Sequence, residues 1–260
     1  MRSTSENFIF KLAKAAEQNI ADGYYEVEGH HFAHKSLKGS ILGSKHTPVI
    51  AEIKFTSPAE GTLRKVGDVR AIAQAYERGG VSGISVLTEP RHFDGDIEYL
   101  PLVKGAATVP VLMKDIVIDP LQIDAGAKIG ADAILLIVSI FTHDLAREGL
   151  DAMLSHAHSR GLEVLLEAHT EGEYRQALAA GADVVGINNR DLETLEVSLE
   201  TSKRLLRMGP HETAVISESG IESREQILEL TSFGASGFLV GSALMKSRDL
   251  ETKVRALTGA

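Results

Sequence analysis

The sequence predicts an α/β protein, a (β/α)8 TIM barrel with an N-terminal helical extension. Short aliphatic strands alternate with helical segments closed by glycine, and this unit occurs eight times at intervals of roughly 20 to 35 residues. Such a barrel needs about 250 residues, and the chain has 260. An open doubly wound sheet is the alternative, but no GxGxxG follows the first strand. We expect one domain overall, in which residues 1–47 form the extension and 48–260 form the barrel.

The first strand and its loop form the stretch Pro48 to Arg64, PVIAEIKFTSPAEGTLR. Its aliphatic residues suit a buried strand, whereas Glu52 and Lys54 lie two apart and project from one face near the carboxyl end. Buried ionised groups cost several kcal/mol unless they are paired. We therefore expect a Glu52–Lys54 couple at the barrel mouth, below a loop that contains Ser57. A strand end frayed into water is the alternative.

The other elements follow in chain order. Helical spacing from Phe8 to Ile20 predicts a helix that covers one end of the barrel, and residues 24–45 are expected to form a loop or a short helix. Capping boxes are predicted at Thr170 with Glu173 and at Ser223 with Gln226. The remaining strands are predicted at 84–87, 109–114, 133–136, 163–167, 184–187, 214–218 and 237–240, and the helices at 68–79, 96–107, 119–129, 144–159, 171–180, 198–207, 223–233 and 247–257.

Composition argues against several classes of protein. With 43% hydrophobic and 24% charged residues the chain is typical of globular proteins. It has no cysteine, which excludes disulfides and thiolate chemistry, and no secretory signal is apparent, so we expect a cytoplasmic protein. A net charge of -9 argues against nucleic acid as the main partner. The longest apolar run, around 133–141, is too short for a membrane span. We expect a monomer or a weak homo-oligomer.

Polar residues at the carboxyl ends of strands are the candidates for chemistry, because catalytic groups of this fold come from that face. One charge at a strand end is as often solvated or salt-bridged as functional, but here two lysines and three carboxylates converge. Desolvated lysines near each other have lowered pKa values and clustered carboxylates have raised ones, so we expect acid and base near neutral pH. The candidates are Glu52, Lys54, Lys114, Glu167, Asn188, Glu218, Ser219, Gly241 and Ser242.

The loops after the last two strands are expected to bind phosphate. They contain Ser219 with Gly220 and Gly241 with Ser242, at the place where this fold often holds phosphate on backbone N–H groups. Plain turn glycines are the alternative. Because Ser57 from the first loop faces the same region, we favour phosphate.

Six segments resemble the motifs of one family: AEIKFTSPAEG, LMKDIVID, LLEAHTEGE, GINNRDLETLEV, SESGI and VGSALM. In this order, from about Ser36 to Met245, they resemble indole-3-glycerol phosphate synthase, a barrel enzyme of tryptophan biosynthesis. The resemblance implies a carboxy-lyase. Its substrate would be 1-(2-carboxyphenylamino)-1-deoxyribulose 5-phosphate, cyclised with loss of CO2 and water and without a metal or organic cofactor.

The resemblance also implies a role for each candidate residue. Lys114 would be the general acid that protonates the ketone, Glu167 the acid/base of the dehydration, and Lys54 the partner of the substrate carboxylate and a second candidate proton donor. Glu52 and Glu218 would hold the lysines, and Asn188 and Arg190 would contact polar substrate groups. Phosphate would be held by Ser57, Gly220, Gly241 and Ser242. Phe93 and Leu135 would form apolar walls.

Three positions depart from the family's pattern. Many relatives have a basic residue where Phe55 stands, a second serine where Ala59 stands and an aromatic residue where Ile116 stands. We expect the first two to touch the phosphate loop and the third to touch the wall for the anthranilate ring. A phosphoribosyl isomerase, an aldolase and a non-catalytic phosphosugar-binding barrel remain alternatives. An isomerase would need a different acid/base pair, and an aldolase would need a Schiff-base lysine. A non-catalytic barrel would have no reason to keep two lysines that converge on one mouth.

Overall fold

The computed structural model describes residues 7–192, 194–209 and 212–260. The strands are β1 (Val49–Ile53), β2 (Thr56–Ser57), β3 (Gly61–Thr62), β4 (Gly83–Leu87), β5 (Val111–Lys114), β6 (Ala133–Ile137), β7 (Glu163–Ala168), β8 (Val184–Asn188), β9 (Ala214–Glu218) and β10 (Gly237–Val240). The helices are α1 (Phe8–Ala21), α2 (Leu37–Leu42), α3 (Val69–Arg78), α4 (Pro90–Phe93), α5 (Tyr99–Ala106), α6 (Pro120–Ile129), α7 (Val138–Thr142), α8 (Leu150–Ser159), α9 (Glu171–Ala179), α10 (Glu200–Leu206), α11 (Arg224–Ser232), α12 (Ser242–Met245) and α13 (Leu250–Thr258).

Eight parallel strands close into a barrel in the order β1, β4, β5, β6, β7, β8, β9, β10. Closure occurs at β1, where Ile50 is in register with Gly83 of β4 and with Leu239 of β10. The remaining strands, β2 and β3, form a short antiparallel hairpin in the loop after β1. The (β/α)8 prediction is therefore confirmed, and the open-sheet alternative is wrong.

The barrel strands are buried on both faces. Alternate residues of each strand point in opposite directions, toward the barrel interior or toward the surrounding helices. Inward-facing residues such as Ile50, Leu165 and Ile216 fill the barrel. Outward-facing residues such as Ile84 and Val185 pack against the helices, together with the buried Tyr76 and Tyr174. This arrangement explains why the strands appear in the sequence as nearly continuous aliphatic runs.

The N-terminal extension packs on the barrel at both ends. The buried face of α1, with Ile9 and Leu12, packs near Ile116 and Ile140, which follow the carboxyl ends of strands. In α2, Leu37 packs so closely on the amino end that a Cβ at Gly83 would lie 2.8 Å from its Cδ1. The predicted helix at one end is present as α1, and residues 24–45, expected to form a loop or a short helix, contain α2 at the other end.

Several boundaries differ from the sequence prediction. The helix predicted over 144–159 begins only at Leu150, since the chain after β6 first forms α7. The prediction also missed the short helices α4 and α7. Both predicted capping boxes are present, and a third joins Asp119 to Gln122 at the start of α6. In the described ranges, no helix has the length and hydropathy needed to cross a membrane.

Replacement of Leu37 by alanine is expected to destabilise the fold. Leu37 is 1% exposed at the amino end of the barrel. Truncating a buried leucine to alanine lowers the free energy of unfolding by about 2–5 kcal/mol. Leu42→Ala in the same helix is the control, because Leu42 is 61% exposed and its loss should change stability little. Urea unfolding followed by circular dichroism measures both variants. Equal effects would contradict the packing described for α2.

Candidate active site

A cavity of about 320 Å³ opens at the carboxyl end of the barrel strands. Every predicted site residue except Glu218 lines it, and Glu218 lies fully buried behind Lys114. The predicted residues on its wall are Glu52, Lys54, Ser57, Phe93, Lys114, Leu135, Glu167, Asn188, Arg190, Ser219, Gly220, Gly241 and Ser242. The structure therefore brings together residues from all eight barrel strands or the loops after them.

Four alternate strands build the charged floor of this cavity. Glu52, Lys114, Glu167 and Glu218 belong to β1, β5, β7 and β9, and four inward side chains from alternate strands form one layer of such a barrel. Two residues earlier on the same strands are aliphatic side chains, which fill the barrel below: Ile50, Leu112, Leu165 and Ile216. The period of the strand thus places a charged layer directly on a hydrocarbon one.

Lys114 is the centre of this layer. Its Nζ lies 2.7 Å from Glu218 Oε2, 3.7 Å from Glu52 Oε1 and 3.8 Å from Glu167 Oε2. Glu52 also contacts Lys54, whose Nζ is 2.9 Å from Glu52 Oε2. The first strand therefore ends in a buried ion pair and is not frayed into water.

The prediction of lowered lysine pKa values is wrong for Lys114. Burial alone would lower the pKa of its ammonium, but Glu218, Glu52 and Glu167 outweigh burial and raise this pKa above its ordinary value. The sequence argument treated the two lysines as neighbours of each other. In the structure, three carboxylates surround Lys114, and the site without substrate keeps it protonated.

Two carboxylates of the charged layer, Glu167 and Glu52, have opposite pKa shifts. Burial raises the pKa of Glu167 and the charge of Glu218 raises it further, to about 7, although Lys114 and the Asn188 amide act in the opposite direction. Burial also favours a raised pKa for Glu52, but Lys54 and Lys114 outweigh it and lower that pKa. The prediction of raised carboxylate pKa values therefore holds for Glu167 and is wrong for Glu52.

Two glycines make room for the charged layer. A Cβ at Gly186 would lie 2.0 Å from Glu218 Oε1, and a Cβ at Gly241 would lie 2.3 Å from Glu52 Oε2. The sequence analysis did not assign Gly186 to the site, although a glycine inside a buried strand often marks a close approach. A larger residue at Gly241 would displace Glu52, so it would affect the charged layer as well as any anion bound at the loop.

The remaining polar candidates are held by the loops. Asn188 Nδ2 donates a hydrogen bond to Glu167 Oε1 over 2.9 Å, and its Oδ1 accepts one from the Arg190 amide. The Arg190 guanidinium donates to the Leu195 carbonyl over 3.0 Å. Ser219 and Gly220 both have positive φ, 67° and 76°, which turns the loop after β9 toward the mouth.

Of the three departures from the family's pattern, two line the cavity. These are Ala59 and Ile116. The expectation for Phe55 is wrong for its side chain, which is buried between strands and helices and packs edge-on against Tyr99 with 5.7 Å between ring centroids. A large apolar residue is stable there because the position belongs to the core.

Asp115 is a buried residue of the cavity that sequence reasoning missed. Its carboxylate accepts hydrogen bonds from Tyr25 Oη (3.1 Å), Thr88 Oγ1 (2.6 Å) and the Ile116 amide (2.7 Å). Burial raises its pKa to about 6 although these donors oppose the shift. The available signal was a second charge directly after Lys114 at a strand end. Among the described residues, no group of three histidine or carboxylate side chains is arranged as metal ligands.

The sequence pattern of indole-3-glycerol phosphate synthase matches residues 11–257. The chain belongs to the indole-3-glycerol phosphate synthase family. Relatives that bear this name include proteins of Caldanaerobacter subterraneus, 40% identical over 91% of both chains, and Geobacillus thermodenitrificans, 44% identical over 81% of both. A third, from Staphylococcus haemolyticus, is 36% identical over 93% of both.

Solved structures with lower identity share the fold. Thiamine phosphate pyrophosphorylase from Pyrococcus furiosus aligns with a TM-score of 0.61 at 16% identity, over 85% of this chain and 96% of that one. The N-acetylmannosamine-6-phosphate 2-epimerase of Clostridium perfringens aligns with a TM-score of 0.60, also at 16% identity, over 82% and 93%. At this identity the likeness concerns the barrel architecture alone.

Replacement of Gly186 by alanine is expected to reduce activity at least about tenfold. The new Cβ would displace the Glu218 carboxylate, and small displacements of catalytic groups have large effects on rate. Gly172→Ala is the control, because a Cβ at Gly172 meets nothing within 4 Å. Initial rates at saturating substrate measure the effect. Parental rates for Gly186→Ala would contradict the proposed need for space beside Glu218.

Replacement of Glu218 by glutamine is expected to lower the pKa of Glu167 below about 7, because the charge of Glu218 is the second largest cause of its elevation. The carboxyl carbon resonance of Glu167, assigned through Glu167→Gln, measures this pKa in a 13C NMR titration. Glu173→Gln is the control, since Glu173 raises the same pKa more weakly. An unchanged Glu167 titration in Glu218→Gln would refute the coupling.

Proposed function

We propose that the chain converts 1-(2-carboxyphenylamino)-1-deoxyribulose 5-phosphate to indole-3-glycerol phosphate, with Lys114 as the general acid. The observation that carries this assignment is the position of Lys114 Nζ at the floor of the cavity, within 4 Å of three carboxylates. Family membership supports this carboxy-lyase activity over the isomerase, the aldolase and the non-catalytic barrel.

The proposed first step is ring closure. The ring carbon that bears the carboxylate attacks the ketone carbon, and this attack breaks the aromaticity of the ring. Lys114 Nζ donates a proton to the ketone oxygen as its negative charge develops. A positioned acid lowers such a barrier most when it acts in the transition state. The Glu218 carboxylate, 2.7 Å from Nζ, holds the ammonium in place.

The proposed second step is decarboxylation. The bond to the carboxylate carbon breaks, its electrons restore the aromatic ring, and CO2 leaves. Lys54 is placed to hold the substrate carboxylate until then, because its ammonium lies at the cavity wall and is tethered by Glu52 at 2.9 Å. The substrate's charge can replace part of the Glu52 contact without exposing Lys54 to water.

The proposed third step is loss of water. The hydroxyl formed from the ketone leaves with a proton from Glu167, and a base removes one proton from the adjacent ring CH2 to complete the indole. A pKa of about 7 for Glu167 lets this group give and accept protons near neutral pH. Asn188 orients it through the 2.9 Å hydrogen bond to Oε1. None of the three steps calls for a metal or an organic cofactor.

The two ends of the substrate have matching surroundings. At one end, α12 begins at Ser242 beside Gly241, Gly220 and Ser57, and free amides at a helix start suit phosphate. At the other end, apolar side chains suit the anthranilate ring, and α1 contributes two that the sequence analysis did not assign to the site. This wall consists of Phe8, Leu12, Phe93, Ile116 and Leu135. Arg190 is placed to contact the polar groups between the ends.

Replacement of Lys114 by alanine is expected to reduce kcat by about 100- to 10,000-fold with a small change in KM, because the proton is donated only in the transition state. Lys54→Ala should change KM together with kcat, since Lys54 meets a carboxylate that is present in the bound substrate. Single-turnover fluorescence of indole formation with 1-(2-carboxyphenylamino)-1-deoxyribulose 5-phosphate measures both. Near-parental kcat in Lys114→Ala would make Lys54 the leading acid.

A further inference from the structure

The hairpin after β1 places a carboxylate on the rim where the phosphate is proposed to bind. Glu60 lies between β2 and β3, at the tip of this hairpin. Its Oε1 accepts a hydrogen bond from Ser242 Oγ over 2.7 Å, and its Oε2 forms an ion pair with Lys246. Ser242 begins α12 and Lys246 follows its last residue. One carboxylate therefore holds polar groups at both ends of this short helix.

Glu60 is an anion in this position. Burial would raise the pKa of its carboxyl, but the hydrogen bonds from Lys246 and Ser242 outweigh burial and lower it. A carboxylate and a phosphate bind to the same kinds of donors, namely hydroxyl groups and cations. Two anions on one hydroxyl and one ammonium would repel each other. The side chain of Glu60 and a phosphate on this rim therefore compete for the same partners.

The base of the hairpin is fixed independently of Glu60. Arg64 Nε donates to the Met245 carbonyl over 2.9 Å, and its Nη2 donates to the Ser247 carbonyl. The Leu63 amide donates to the Phe55 carbonyl over 2.8 Å. These contacts hold the hairpin against the end of α12. The Glu60 side chain retains 28% exposure, so it can rotate into solvent while the backbone stays in place.

We propose that the carboxylate of Glu60 competes with the substrate's phosphate for Ser242 and Lys246. In this proposal Lys246 is a phosphate-binding residue whose ammonium is paired with Glu60 until substrate binds. This inference rests on the proposed function, because it takes the phosphate rim from it. As phosphate binds, Glu60 turns to solvent, and Ser242 Oγ and Lys246 Nζ turn to the phosphate oxygens. As product leaves, the carboxylate returns to both partners. The chain thereby sets its phosphate affinity below what its donors alone would give.

The test is calorimetric titration of inorganic phosphate into the full chain. Glu60→Gln is expected to lower the Kd roughly three- to tenfold, since it removes the competing charge and frees Lys246. Lys246→Gln is expected to raise the Kd by a similar factor. Glu222→Gln is the matched control, because Glu222 lies at the same cavity and its replacement removes one negative charge. We expect a change below about twofold for it.

The outcomes separate competition from a general charge effect. Equal tightening in Glu60→Gln and Glu222→Gln, an unchanged Kd in Glu60→Gln, or no phosphate binding by either Glu60→Gln or the parent would each overturn the competition. An unchanged Kd in Lys246→Gln would overturn the role of Lys246. In steady-state assays, Glu60→Gln should lower KM and leave kcat within about twofold. Circular dichroism of each variant checks folding.

Failure of the proposed function would have a different signature. A parent protein that forms no indole fluorophore from 1-(2-carboxyphenylamino)-1-deoxyribulose 5-phosphate, but binds phosphate with the expected order of affinities in the variants, would refute the synthase activity and support the competition. A parent that turns over substrate while Glu60→Gln leaves both phosphate Kd and KM unchanged would refute the competition alone.

Discussion

The site depends on the ammonium of Lys114 held among three buried carboxylates. Removing four charged groups from water is costly, and a buried pair is stable only when its geometry is good and its remaining polar atoms are satisfied. Here Glu218 lies 2.7 Å from the ammonium, and Glu52 shares its charge between Lys114 and Lys54. The barrel supplies this geometry because alternate strands deliver their inward side chains to one level.

Not every polar atom of this charged layer has a hydrogen-bond partner, and the negative charges of the layer outnumber the positive ones. Glu218 Oε1 is buried and has no hydrogen-bond partner among the described residues, while Asn188 gives Glu167 one donor. Three carboxylates around one lysine leave an excess of negative charge, so one of them favours a proton. Glu167 is the group whose pKa rises, to about 7. The same imbalance keeps Lys114 charged, so its proton is present before substrate binds but is held more tightly than on a free lysine.

The scaffold around the layer protects it from disruption. Gly186 and Gly241 leave the space that Glu218 and Glu52 occupy, at distances where any Cβ would collide with them. The extension contributes from the other side, because Tyr25 donates a hydrogen bond to Asp115, the residue next to Lys114. Residues far apart in the sequence therefore set the position of a single ammonium group. The position of the acid that protonates the substrate in the proposed mechanism therefore depends on tertiary packing as well as on local sequence.

The sequence by itself determined the fold and most of the polar residues that line the site. Short aliphatic runs and the helix-ending glycines locate all eight barrel strands, and charges at strand ends identify the cavity wall because strand direction fixes the end at which they meet. Tertiary structure decided the electrostatics. The short distances from Lys114 to three carboxylates raise its pKa, which was expected to be lowered. The Phe55 side chain packs in the core and not at the rim, and the hairpin after β1 places Glu60 beside Ser242. A pKa depends on burial and on the summed charges within a few ångströms, and contacts across 182 positions of sequence leave no periodic signal in a single chain.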